Sequence, residues 1–183
     1  NAKQIQAWMN QTTLAEIADL VSLSPLEIGH PECTAMTLVQ SPAFELGLFH
    51  LPKGMVMPLH NHPGMTVFSK VLTGQMHALG YDMTKPGGTT AQLAVNQVFT
   101  TTDELPPLLP THGNIHTFHA LEDTVFLDFL TPPYADGINY ITYYRPVGFD
   151  KLTLFRSPPQ VLPLEPYDAA DFACHGVPVH WTK

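Results

Sequence analysis

The sequence predicts an all-β protein, a sandwich or barrel, fronted by a short helical segment. Three observations carry this. From about residue 34 the chain runs in short apolar stretches separated by Gly and Pro, the spacing of strands and turns. Its 18 prolines among 183 residues are about twice the usual frequency and disfavour long helices. The one convincing helical periodicity lies at the start, where Ile5, Trp8 and Met9, then Leu14, Ile17, Ala18 and Val21, recur at steps of three and four.

Residues 2–21 are therefore read as helical, with the polar run Asn10-Gln11-Thr12-Thr13 dividing them into two short helices. Ser24-Pro25 and His30-Pro31 break the pattern. Strands are expected at 34–40, 44–51, 65–72, 75–82, 91–99, 115–121, 124–130 and 139–145. Pro86-Gly87-Gly88 marks a turn and Asp103 to Pro110 a longer loop. The tail, 158–183, is interrupted by Pro and Gly and is expected to drape over the barrel. At this length one domain is the default: a helical segment over 1–30, a barrel over 34–157 and a packing segment over 158–183.

Composition narrows the function classes. Eight basic against sixteen acidic residues give a net charge of −8. The Lys and Arg are scattered, which argues against nucleic acid as a partner. No apolar run reaches membrane-spanning length, and no basic segment followed by an apolar one opens the chain, so neither a membrane helix nor a signal peptide is expected. The start at Asn1 rather than Met leaves room for a leader removed beforehand. Cys33 and Cys174 lie far apart in sequence, which favours free thiols in a reducing compartment, the cytoplasm.

The stretch Pro58-Leu59-His60-Asn61-His62-Pro63-Gly64-Met65-Thr66 stands out. Wherever the backbone is extended, two histidines one residue apart present both imidazoles on one face. A lone strand histidine is usually a packed or surface residue. With Gly54 before the pair and Gly74 after it, however, the spacing resembles the first motif of the cupin superfamily, jelly-roll barrels that hold a metal at their centre. Many cupins place a further glutamate ligand four or five residues after the second histidine, where this chain has Thr66 and Val67. A three-histidine site is the resulting expectation, its third ligand coming from the second motif, Gly113-Asn114-Ile115-His116.

A sharper resemblance follows. Pro58 to Lys70 (PLHNHPGMTVFSK), Gly113 to Phe118 (GNIHTF), Leu127 to Tyr134 (LDFLTPPY) and the ending Asp171-Phe172-x-Cys174-x-Gly176 are similar, in order, to the plant cysteine oxidases. These belong with the cysteamine dioxygenases to a family of thiol dioxygenases. The resemblance implies a cupin double-stranded β-helix with Fe(II) held by His60, His62 and His116. It implies O2 as co-substrate and oxidation of a thiol to the sulfinic acid, a product thiols do not readily reverse. The ligands alone do not choose iron, since imidazole also suits Cu, Ni and Zn.

Asp128 sits in the apolar run Thr124 to Leu130, where an unpaired carboxylate would cost several kcal/mol. One reading pairs it with a backbone donor. The resemblance instead makes it a catalytic residue that orients a histidine or holds the substrate's amine. Tyr134 matches another pocket residue, or packs a turn. His112 is either a pocket-entrance or a plain loop residue, His77 and His119 are strand residues, and His30, His50, His175 and His180 carry no motif. Animal cysteamine dioxygenases have a cysteine two residues before a tyrosine, a pair that can crosslink. Here the counterparts are Ile141 and Tyr143, so a Cys–Tyr crosslink is not possible at this place.

Selecting free cysteine calls for a cation, usually the arginine fork. Arg145 and Arg156 are the only arginines, and neither lies in the metal motifs. The expected substrate is thus cysteamine or, as the plant-like motifs favour, a polypeptide beginning with cysteine. In that branch the oxidation marks a protein for degradation and makes its lifetime depend on oxygen, in the cytoplasm or nucleus, with a monomeric enzyme. Two rival readings use the same barrel: a zinc- or nickel-dependent hydrolase, isomerase or different oxygenase, and a non-enzymatic storage or ligand-binding cupin. The three histidines count against the latter.

Overall fold

The polar run near residue 12 divides the helical segment. In the computed structural model, which describes residues 1–26, 28–29, 31–135, 139–169, 172 and 174–182, α1 is Ala2–Gln11 and α2 is Leu14–Leu20. His30 and Asp171 lie outside the described residues. Asn1 and Thr13 each cap a helix through a reciprocal box with Gln4 and Glu16, satisfying N–H groups that a helix start leaves without partners. A single 3-10 turn follows at Ser24–Leu26.

Eleven strands are present among the described residues: β1 Cys33–Gln40, β2 Glu45–Leu51, β3 Val56–Asn61, β4 Thr66–Thr73, β5 Met76–Met83, β6 Thr90–Phe99, β7 Ile115–Ala120, β8 Thr124–Thr131, β9 Tyr143–Pro146, β10 Val161–Tyr167 and β11 Cys174–Gly176. One sheet has the order β11-β1-β2-β8-β4. The other runs β6-β5-β7-β3-β9, and β10 bonds to both its outer strands, β6 and β9, to close a ring. The architecture is the all-β double-stranded barrel with a short N-terminal helical segment that the sequence leads one to expect.

Alternation along the strands builds three apolar layers. Phe68 and Leu72 of β4 and Val125 and Leu127 of β8 face outward beneath Met9, Ile17 and Val21. Their neighbours Val71 and Phe126 face inward and meet Met57, Met76, Phe99 and Phe118 of the opposite sheet. On the other face of the second sheet, Leu59, Leu79, Ile115 and Leu162 pack with Leu154 and Phe155. Gly74 has a structural reason in the β4–β5 turn. Its φ is +79°, and a Cβ there would stand 2.2 Å from the Asp123 carbonyl oxygen.

Five readings need correction. Strand β3, which carries the first histidine, falls in a gap of the expected strands because Pro58 interrupts the pattern. The proline is tolerated where the β3–β7 register shifts, between Met57 and His60. The strand expected at 139–145 is confined to Tyr143–Pro146. A short helix, α3 (Lys151–Arg156), was not anticipated. Its cap is Asp150, which accepts from Leu152 N and Thr153 N. The tail forms strands that complete both sheets, so it is more than a drape. In doing so it brings Cys174 opposite Cys33 in a parallel pair, and the two are joined by a disulfide with Cα atoms 4.5 Å apart. The expectation of free thiols therefore fails, because separation in sequence said nothing about register. No described helix is long and apolar enough to cross a membrane.

Candidate metal centre

β3 and β7 are antiparallel neighbours, and their register sets His60 directly opposite His116. His62 lies just past the end of β3, in the turn His62-Pro63-Gly64-Met65 closed by Met65 N donating to His62 O. All three side chains are buried. The ring centroids stand 4.5 to 4.9 Å apart, and one ligand nitrogen from each lies within 4.8 Å of the others. The structure thus brings together the three expected ligands.

Their protonation follows from burial. Desolvation lowers the His60 pKa to about 4 even though its Nδ1–H donates to Pro58 O at 2.9 Å. It holds His62 well below the usual imidazole range, helped by repulsion from His60, and His116 likewise, helped by both partners. At neutral pH all three are uncharged. Since His60 Nδ1 must carry its proton to bond a carbonyl, its Nε2 presents a bare lone pair.

The same holds for His62. The Tyr134 hydroxyl lies 2.8 Å from Asn61 O and 2.8 Å from His62 Nδ1. A carbonyl only accepts, so the tyrosine donates to Asn61 and accepts from His62 Nδ1–H. Burial first, then the charges of Tyr143, Asp128 and Glu45, pushes the phenol upward and keeps it protonated. His116 Nε2 stands 3.0 Å from both other Nε2 atoms.

The Nε2 atoms of His60 and His62 are thus bare and both face His116 Nε2, an arrangement in which one cation could be held by all three rings. Two imidazole nitrogens about 2.1 Å from one ion and at right angles stand about 3.0 Å apart, whereas a tetrahedral angle spreads them to about 3.4 Å. The two separations from His116 match the right-angle value.

From His116 a cavity opens outward between the sheets. Val95, Phe99, Leu105, Leu108 and Phe118 make its wall, with Ser69 on one side and His112 at its margin. No Lys or Arg is among its described lining residues. His112 is half-exposed and its Nδ1 lies 3.2 Å from Asp82 Oδ2. Lys70 turns away from the cavity and donates to Thr101 O at 2.6 Å, tying down the loop that supplies Leu105 and Leu108.

Asp128 faces the interior in register with Ser69 and is 7% exposed. Burial pushes its pKa up to about 7, against the opposing hydrogen bond from Ser69. Its Oδ1 has no hydrogen-bond partner among the described residues. Of the two tasks suggested for Asp128, orienting a histidine is met by Tyr134 instead. Tyr143 packs its ring 6.0 Å from that of His60, and Ile141 is partly exposed. His77 and His119 lie on the outer face against Phe155. His50 is buried and accepts from Gly29 N at 3.4 Å. His175 pairs with Glu32 at 2.7 Å.

Sequence reasoning missed Ser69 and Asn114. Ser69 lies inside the string that resembles the thiol dioxygenases, but a serine in a strand carries no signal of its own. Asn114 precedes His116 by two residues. Its carboxamide accepts from His62 N at 3.2 Å and donates to His62 O at 2.9 Å and Leu109 O at 3.1 Å.

Plant cysteine oxidase 1 of Arabidopsis thaliana is 40% identical over 131 residues, covering 67% of this chain and 45% of that protein. Plant cysteine oxidase 2 of the same species is 36% identical, covering 68% and 48%. Human 2-aminoethanethiol dioxygenase is 31% identical over 189 residues, covering 86% and 70%. The chain thus spans about half the length of the plant relatives. A solved cupin superfamily protein from Desulfitobacterium hafniense shares 18% identity with a TM-score of 0.43, covering 57% of this chain and 81% of that one. The PCO_ADO family model matches residues 8–179, nearly the whole chain, and the chain belongs to that family.

Proposed function

We propose that this chain is an Fe(II)-dependent thiol dioxygenase acting on the N-terminal cysteine of a polypeptide, with O2 as co-substrate. The reaction adds both atoms of O2 to sulfur, RSH + O2 giving RSO2H, with no further reductant. The observation that carries the reading is the convergence of three uncharged imidazoles in a member of this family, one of them, His116, lining an apolar cavity. Bound iron would supply the redox chemistry that lets a thiol react with O2. His60, His62 and His116 would hold it, and family membership, not the ligand set, favours iron over copper, nickel or zinc.

The remaining residues act on the substrate. The apolar wall excludes water from the sulfur. The bare Asp128 Oδ1, with Ser69 beside it, suits the substrate's ammonium, a cation that would relieve the buried carboxylate. A free amino acid's carboxylate finds no cation there: Arg145 stacks over Tyr167 at 4.7 Å and Arg156 lies on α3, neither lining the cavity. Cysteamine and a Cys-initiated polypeptide both meet these conditions, and the higher identity to the plant cysteine oxidases favours the polypeptide.

Oxygen-dependent marking of proteins for degradation by a monomeric enzyme, in cytoplasm or nucleus, extends the same reading. Its placement in a reducing compartment draws no support from the disulfide-bonded cysteines. The test is mass spectrometry of a Cys-initiated peptide incubated in air with Fe(II)-loaded protein. A gain of about 32 Da on sulfur, absent with free cysteine, is expected. Iron-loaded protein that changes neither the peptide nor cysteamine would refute the proposal.

A further inference from the structure

The β3–β7 ladder ends with the pair Asn61 and Ile115. One step further, the register sets His62 opposite Asn114, where no strand pairing remains to hold the ligand's backbone. The Asn114 carboxamide takes over, accepting from His62 N at 3.2 Å and donating to His62 O at 2.9 Å. The second N–H reaches Leu109 O at 3.1 Å. Leu109 and His112 bond each other in both directions, so this bond holds the hairpin that carries His112 at the cavity margin. Every direction is dictated: an N–H needs the amide oxygen and two carbonyls need the NH2 group.

We infer that Asn114 is the positioning residue of the metal centre, fixing His62 against His116 and linking both to the cavity mouth. The inference rests on the metal-site reading above. Tyr134 sets the His62 ring through Nδ1, while Asn114 sets the backbone from which that ring projects. Neither bond restrains His60, whose backbone is held in register with β7 and β9. Loss of Asn114 therefore loosens the backbone of one ligand of three, its ring still held by Tyr134.

The test loads metal-free protein with Co(II) and follows binding by calorimetry and by the cobalt absorption band, at a temperature well below unfolding. Asn114→Ala is expected to weaken Co(II) binding about ten- to a hundredfold, the usual effect of losing a ligand's supporting partner, and to shift the band. Wild-type affinity with an unmoved band would overturn the inference, whatever happens to the unfolding temperature, because a merely stabilising side chain leaves the coordination unchanged. If that variant does not fold, Asn114→Asp is read instead. It keeps the acceptor for His62 N but sets an anion against two carbonyls, so a shifted band supports the inference and an unmoved one overturns it. Failure of the wild-type protein to bind Co(II) would refute the metal-site reading itself.

Discussion

Replacing Asp128 by Asn should stabilise the metal-free protein at alkaline pH and leave it unchanged in acid. The native carboxyl titrates near 7 because it is buried, against 3.8 when exposed. Between those values the folded state holds a proton that the unfolded state has released, so stability falls as pH rises. Above about pH 7 the full cost of a buried anion is present. The interval, at ~1.36 kcal/mol per pH unit, comes to about 4 kcal/mol. The isosteric amide carries no charge and avoids it. The histidines contribute equally to both proteins, so comparing variant with wild type at each pH isolates Asp128. The assay is urea unfolding of both metal-free proteins at pH 5 and pH 8. With the exposed value at 3.8 and the buried one at about 7, the gap should widen from roughly 1.6 kcal/mol at pH 5 to as much as about 4 kcal/mol at pH 8, while activity is lost with the carboxylate. An equal gap at the two pH values would refute the argument, since it would place the Asp128 charge in water or beside a cation.

Two further outcomes follow from the geometry. His116→Ala removes the nitrogen that stands 3.0 Å from both others, so iron binding should be abolished while circular dichroism still reports a folded barrel; unchanged iron content by elemental analysis would refute the ligand assignment. Gly74→Ala combines a left-handed backbone with a 2.2 Å approach to the Asp123 carbonyl and should cost about 1–3 kcal/mol, read as a lowered unfolding temperature; an unchanged temperature would show that the turn gives way freely.

The sequence made some of this legible and hid the rest for definable reasons. The ligands could be found because their chemistry is rare and their spacing local: His60-x-His62 needs only extended backbone, and His116 needs only the right order. The helix break at Thr12 and Thr13 could be found because capping is a matter of three or four residues. β3 escaped because Pro58 disguises a strand that bulges to admit it. β10 and β11 escaped because their partners, β6, β9 and β1, are distant in the chain. The Cys33–Cys174 bond escaped with them. The hydroxyl of Tyr134 meets His62 from 72 positions away, and such a contact has no local signature. Asn114 was in view, yet its role depends on the ladder ending one residue before it.

Two kinds of strain in the metal-free site point the same way. Asp128 makes the fold less stable as pH rises from 3.8 towards about 7. His60, lowered from 6.5 to about 4, has the opposite slope: below 6.5 the unfolded state binds a proton that the native imidazole refuses, so stability is lost as pH falls. No pH satisfies both groups, because protons that would relieve the carboxylate are the ones the imidazoles exclude. A metal cation among the Nε2 atoms and an ammonium against Oδ1 would satisfy both without a proton. Anything that binds the native state alone raises its stability in proportion to the logarithm of its concentration over Kd. The strain is thus located where two cations of different chemistry, one metal and one amine, would each remove part of it.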